Sequence, residues 1–172
     1  VSGFVPGDSG AFRLVQFPPG DMEINEGLNG AWYEPATSGQ GILLEVYPDA
    51  GVVFLAWFTF DAQQPFDPGS AALGDASQRW LTAAGPFQPG MNQVNMTVSN
   101  TSGGLFDQSA QGQSQDNGYG TISLTFETCD RATLEYNLPD AGVSGVIPLS
   151  RVVRDNTPLC GALLSSPGVI TD

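Results

Sequence analysis

Short apolar runs recur along this chain about every ten residues, and glycine, proline or aspartate stops each of them. That rhythm limits the fold more than any single residue does. A helix needs a sustained 3.6-residue period over ten or more positions, and no window offers one, so any helix is short. Eight strands are predicted: Gly30–Glu34, Gly41–Tyr47, Val52–Asp61, Gln78–Ala84, Gln93–Ser99, Tyr119–Thr128, Arg131–Leu138 and Val143–Val153. The reading is all-β, an antiparallel up-and-down barrel or sandwich of about eight strands.

The side-chain period supports this. Ile122, Leu124 and Phe126 alternate with Thr121, Ser123 and Thr125, and Leu134, Tyr136 and Leu138 continue the pattern in the next run. Each set is therefore expected to face inward. Val52–Phe60 is apolar at nearly every position, which predicts a strand covered on both faces. Pro48-Asp49-Ala50-Gly51 and Pro139-Asp140-Ala141-Gly142 predict two hairpins, with proline presetting φ and glycine supplying a positive φ. The polar stretches Pro65–Gln78 and Asp107–Asn117 are expected to be long loops of the kind that often carry function.

Residues 1–26 differ from the rest. They read as an extended N-terminal segment ahead of a single β-domain over 27–172. Within that segment Ala11–Phe17 has strong strand propensity and is flanked by Pro/Gly hinges. A lone strand is not stable, so Phe12, Leu14, Val15 and Phe17 are expected to pair with this domain or with another chain.

Composition removes several kinds of chemistry. The chain has no histidine, and all five of its positive charges are arginines. It therefore lacks the commonest general base, the commonest transition-metal ligand and any Schiff-base amine. No cofactor and no metal site is expected. A net charge of −13 opposes nucleic acid and anionic membranes alike, and no run is long enough to span a bilayer as a helix. Cys129 and Cys160 read as one disulfide made in an oxidising compartment, the alternative being two buried thiols. The sequence starts at Val1, which suggests a processed product; the expectation is a secreted, extracellular or cell-surface protein. Asn95-Met96-Thr97 and Asn100-Thr101-Ser102 match the glycosylation sequon by pattern.

One ordered series of motifs stands out. It runs from Gly30-Ala31-Trp32-Tyr33-Glu34-Pro35 through Ser38-Gly39-Gln40-Gly41, Trp57-Phe58-Thr59-Phe60-Asp61, Arg79-Trp80-Leu81 and Gly103-Gly104-Leu105-Phe106 to Cys129-Asp130 and Leu149-Ser150-Arg151. Over roughly residues 27–153 the chain resembles a group of exported bacterial β-domains that have no established activity. The resemblance implies an exported β-domain and nothing about chemistry. The Gly-x-Trp-Tyr opening is also similar to the first strand of avidin-like and lipocalin-like barrels, which implies a barrel closed over a core or a small-ligand cavity.

Two functions follow as expectations. The first is a non-enzymatic structural or assembly protein, a homo-oligomer or filament subunit joined by strand addition through Phe12, Leu14, Val15 and Phe17. The alternative is a carbohydrate- or small-ligand-binding module in which Trp32, Tyr33, Gln40, Trp57 and Trp80 make the site, with a glycan as partner. Core packing is the competing role for these aromatics, since each lies in a predicted strand. A third, minor reading is a glycoside hydrolase using a carboxylate pair drawn from Glu34, Glu45 and Asp61.

Overall fold

A computed structural model describes residues 22–60, 62, 78–102, 107 and 114–165, with backbone alone at 78 and 79. Eight strands form a closed barrel in chain order: β1 (Gly30–Tyr33), β2 (Gly41–Tyr47), β3 (Val52–Phe60), β4 (Gln78–Pro86), β5 (Gln93–Ser102), β6 (Ser114–Thr128), β7 (Arg131–Leu138) and β8 (Val143–Arg151). Every neighbouring pair is antiparallel, including the closing pair β1 and β8. Of the two expected architectures, the barrel is the one formed. Among the described residues one α-helix, α1 (Thr157–Leu164), follows β8.

Alternation sets the inside. Ile42, Leu44 and Val46, Val53, Leu55 and Trp57, Val94, Met96 and Val98, and Ile122, Leu124 and Phe126 are all buried in one core. At about 25 cal/mol per Å², burial of such side chains stabilises by roughly 1.5–3 kcal/mol each. Both Pro-Asp-Ala-Gly sequences join hairpins as expected, each as a 3-10 turn, with Gly51 at φ 60° and Gly142 at φ 67°. In each, the glycine N–H donates to the proline carbonyl at 3.0 Å.

β3 departs from expectation. Val53, Leu55 and Trp57 are buried, but Phe54, Phe58 and Phe60 on its other face are exposed. A barrel made from one sheet has one buried face, so an all-apolar strand puts half its side chains into water. β6 also begins earlier than its side chains suggest. Ser114, Gln115 and Asp116 are held extended by pairing with Ser102, Thr101 and Asn100 of β5, so part of the expected loop 107–117 is strand.

The two ends of the barrel differ. One is plugged by the chain that enters β1: Met22, Ile24 and Leu28 are buried, although the first two belong by sequence to the N-terminal segment. Ile24 N–H donates to Met91 O at 2.8 Å, and the Glu23 carboxylate accepts from Gly90 N–H at 2.9 Å. Helix α1 closes the same end, tied by the disulfide between Cys129 and Cys160. Gly27 lies so close to α1 that a Cβ there would sit 2.3 Å from Cys160 N. Only glycine fits.

Candidate functional site

The other end carries a cavity. β1 stops at Tyr33, which sits opposite Ser150, so β8 runs on through Val143–Leu149 with no strand on its β1 side among the described residues. The barrel wall is notched there, and the notch opens into a cavity of about 460 Å³. Trp57, Leu81, Leu134 and Tyr136 line its interior, and Val143, Val146 and Ile147 line the β8 side.

Local contacts shape this space. Trp57 and Tyr136 meet edge to face, with ring centroids 5.4 Å apart. Opposite Tyr136 in the ladder is Gly145, where a Cβ would come within 2.8 Å of the Tyr136 hydroxyl oxygen; the missing side chain leaves room for the ring. On the far rim, Thr59 Oγ1 donates to Gln40 Oε1 at 2.7 Å. Glu34 is the one charged side chain in the lining, and its carboxylate accepts the Ala36 N–H at 2.9 Å, capping the turn Pro35–Thr37. A largely apolar hollow with a few polar rim groups suits an apolar side chain or a small neutral molecule, and the lone carboxylate disfavours anions.

Backbone direction gives the notch further character. In an antiparallel ladder, successive residues point their N–H and C=O groups to alternate sides. Val152 N–H donates to Ala31 O at 2.9 Å, so the even-numbered groups of β8 face β1. Ser144 and Val146 therefore turn their N–H and C=O groups into the notch, and Pro148 offers a carbonyl alone. Closure removes most edges elsewhere. It is not the sole free edge: β6 runs on through Ser114–Tyr119 past the end of β7 with no strand paired on that side among the described residues.

The candidate residues scatter. Trp57 and Gln40 line the cavity. Tyr33 ends β1 at the notch, half-buried. Trp80 stands on the outer wall opposite Phe58 and is exposed. Trp32 is a core residue at the plugged end: its Nε1–H donates to Leu28 O at 3.1 Å, and its ring meets Phe126 edge to face at 5.8 Å. Phe12, Leu14, Val15 and Phe17 lie outside the described residues. Of the three carboxylates, Glu34 is at the mouth, Glu45 accepts a hydrogen bond from the Tyr47 hydroxyl on the outer wall, and Asp61 lies outside the described residues. Glu34 and Glu45 do not share a cleft. No group of three or more His, Cys, Asp and Glu side chains that could hold a metal exists among the described residues. No described helix is long and apolar enough to cross a membrane.

Sequence reasoning missed Leu81, Leu134, Tyr136 and Ile147, because each reads as ordinary core in its own strand. It also left Arg151 without a role. That guanidinium is buried at the plugged end, where Nε donates to Cys129 O at 2.6 Å, Nη1 to Asn29 O at 2.9 Å and Nη2 to Gly27 O. It lies 4.6 Å from the Trp32 ring centroid. Burial lowers its pKa, while Asp155 and Asp130 raise it. Arg151 therefore staples β8, the β6–β7 turn and the entering chain together.

These features define a class: a closed eight-strand antiparallel barrel, plugged at one end and notched over an apolar cavity at the other. No family model, curated protein or solved structure matches the chain.

Proposed function

We propose that this chain is an exported, non-enzymatic assembly protein that takes an extended strand along the β8 edge. The observation that carries this reading is the unpaired stretch Val143–Leu149 directly over the cavity. A strand laid there would bond to the inward-turned groups of Ser144 and Val146 and send one apolar side chain toward Trp57 and Leu134. Proline at 148 shortens the ladder, a usual protection against uncontrolled edge pairing. The disulfide supports an oxidising destination.

The donor is Ala11–Phe17 of a second copy. Glu23 and Ile24 lie beside the β4–β5 turn through their contacts with Gly90 and Met91. In a ring of eight strands that side is opposite the β8–β1 notch. Strands about 4.8 Å apart and tilted about 40° give a radius of roughly 8 Å, so half the circumference is roughly 25 Å. From Phe17 to Met22 the chain spans at most about 18 Å. A segment leading down to its own Met22 would also run parallel to β8, whereas every pair in this barrel is antiparallel.

Sedimentation of the full chain tests this. Polymers are expected, and a peptide copying Gly10–Pro18 at about tenfold excess should shorten them by mass action. The paired change Phe12→Asp and Leu14→Asp should abolish them. Polymers that persist in that variant, or a native chain that never polymerises, would refute the reading.

The cavity itself favours a second reading, a carrier of a small neutral ligand, because about 460 Å³ lies within the usual range for such sites. On this reading a neutral naphthylamine probe binds the native chain and quenches Trp57 fluorescence, and Leu81→Trp lowers its affinity at least about tenfold. Binding left unchanged by that filling substitution excludes the cavity as the probe's site.

A further inference from the structure

The outer wall of the barrel is divided chemically. On β5, β6 and β7 the outward positions are Gln93, Asn95 and Thr97, Thr121, Ser123 and Thr125, and Arg131, Thr133 and Glu135. These side chains bond to one another across strands: Gln93 Nε2 donates to Ser123 Oγ at 2.9 Å and Thr125 Oγ1 at 3.1 Å, and Thr133 Oγ1 donates to Glu127 Oε1 at 2.6 Å. That half is a hydrated, self-satisfied surface.

On β2, β3 and β4 the outward positions are different. They present Leu43, Phe54, Ala56, Phe58, Phe60 and Trp80, with Tyr47 and Thr82 beside them, and Glu45 is the one charge among the described side chains of this wall. The ladder sets Phe58 directly opposite Trp80, Leu43 opposite Ala56 and Phe54 opposite Ala84, so these side chains form one continuous strip. Trp80 is 55% exposed, Phe60 51%, Leu43 49%, Phe58 45% and Phe54 36%. An aromatic side chain carries about 150–250 Å², so these five leave roughly 450 Å² of apolar surface in water. That is the middle of the range for the largest patch on ordinary monomers, about 300–600 Å², a size that is often functional. Doubled across a two-fold axis and extended over Ala56, Ala84 and Val52, it reaches the ~1,000 Å² that a specific interface needs.

Charge decides what covers it. Each copy carries a net charge of −13, so two copies repel over most approaches. Apart from Glu45 on β2, most acidic side chains of the described residues lie on turns, at the ends and on β6–β7: Asp49, Asp130, Asp140, Asp155, Glu127 and Glu135 among them. The β2–β4 wall carries one carboxylate, Glu45 opposite Phe54 on the β2 side, so it is where two copies meet with few of them. It meets the cavity only at Phe60, and it needs no strand exchange.

We infer that the β2–β4 wall is a barrel-to-barrel interface, which packs Phe58 and Trp80 of one copy against the same face of a second in an isologous pair. The contact is lateral and joins barrels that strand addition has or has not linked.

The test keeps the two contacts apart by using the full chain with Phe12→Asp and Leu14→Asp, in which strand donation is removed. At roughly 50 μM, well above a micromolar Kd, this protein is expected to sediment as a dimer. Adding Phe58→Ser and Trp80→Ser should make it a monomer and weaken association at least tenfold, with circular dichroism and melting unchanged because both side chains lie outside the core. Two results overturn the inference: a monomer before the wall is altered, or a dimer that survives its alteration. A monomer that instead binds a neutral polysaccharide through Trp80 also overturns it and assigns the strip to sugar stacking. Polymers that persist after Phe12 and Leu14 are changed sink the strand-addition reading alone.

Discussion

The Arg151→Met protein is expected to unfold roughly 10–15 °C below the native chain, a loss of about 3–5 kcal/mol. Methionine preserves much of the volume beside Trp32, so the loss reads hydrogen bonding more than packing. Without the guanidinium, the carbonyls of Cys129 and Gly27 lose the donor the structure gives them, while Asn29 O keeps Asn156 Nδ2 at 3.0 Å. Each orphaned buried acceptor costs about 1–3 kcal/mol, and the cation over Trp32 contributes up to about 2 more. Arg151→Lys should recover less than half, because an ammonium cannot present three donors in a planar fork. Thermal melts of the three proteins decide the matter. A methionine variant within about 1 kcal/mol of native means that the staple is dispensable.

Removing the disulfide has the second largest effect. The bond spans 31 residues, and loop-closure entropy assigns such a link about 3.5–4 kcal/mol. Cys129→Ser with Cys160→Ser should lower the urea midpoint accordingly. It should also expose the chain after Arg151 to protease before the barrel opens, since Cys160 is the fully buried side chain of α1 and Gly27 packs against its backbone. Equal midpoints with and without reductant would show that α1 docks by packing alone. Arg151 donates to the carbonyl of Cys129 itself, so the two losses share a site. Combined, they should fall short of their sum by about 0.5–3 kcal/mol.

Much of the fold was legible because local chemistry and tertiary structure agree there. Ile122, Leu124, Phe126 and Leu134 alternate in sequence and are buried as the alternation demands. The Pro-Asp-Ala-Gly turns needed only a preset φ and a positive one. With two cysteines, a disulfide had one pairing open to it. The site was less legible, since Leu81, Leu134, Tyr136 and Ile147 come from three strands and each looks like core until closure sets them around one space. The free edge of β8 depends on where β1 stops relative to Ser150, a register that no side chain announces. The outer strip was hidden for the opposite reason: an apolar run on both faces suggested cover that a single-sheet barrel does not provide. Arg151 was visible as the end of a motif, but its acceptors are backbone carbonyls, which carry no residue signature.

Glu23 and Ile24 lie at the plugged end, beside the β4–β5 turn, while the notch opens at the mouth between β8 and β1. Subunits joined from one to the other would all point the same way. Such a polymer has an unlike head and tail, one presenting a vacant groove and the other an unclaimed strand. A capping peptide would then fill the groove end of a polymer and the grooves of free subunits alike, whereas a subunit altered at its strand would join by its groove and leave an end that offers no strand.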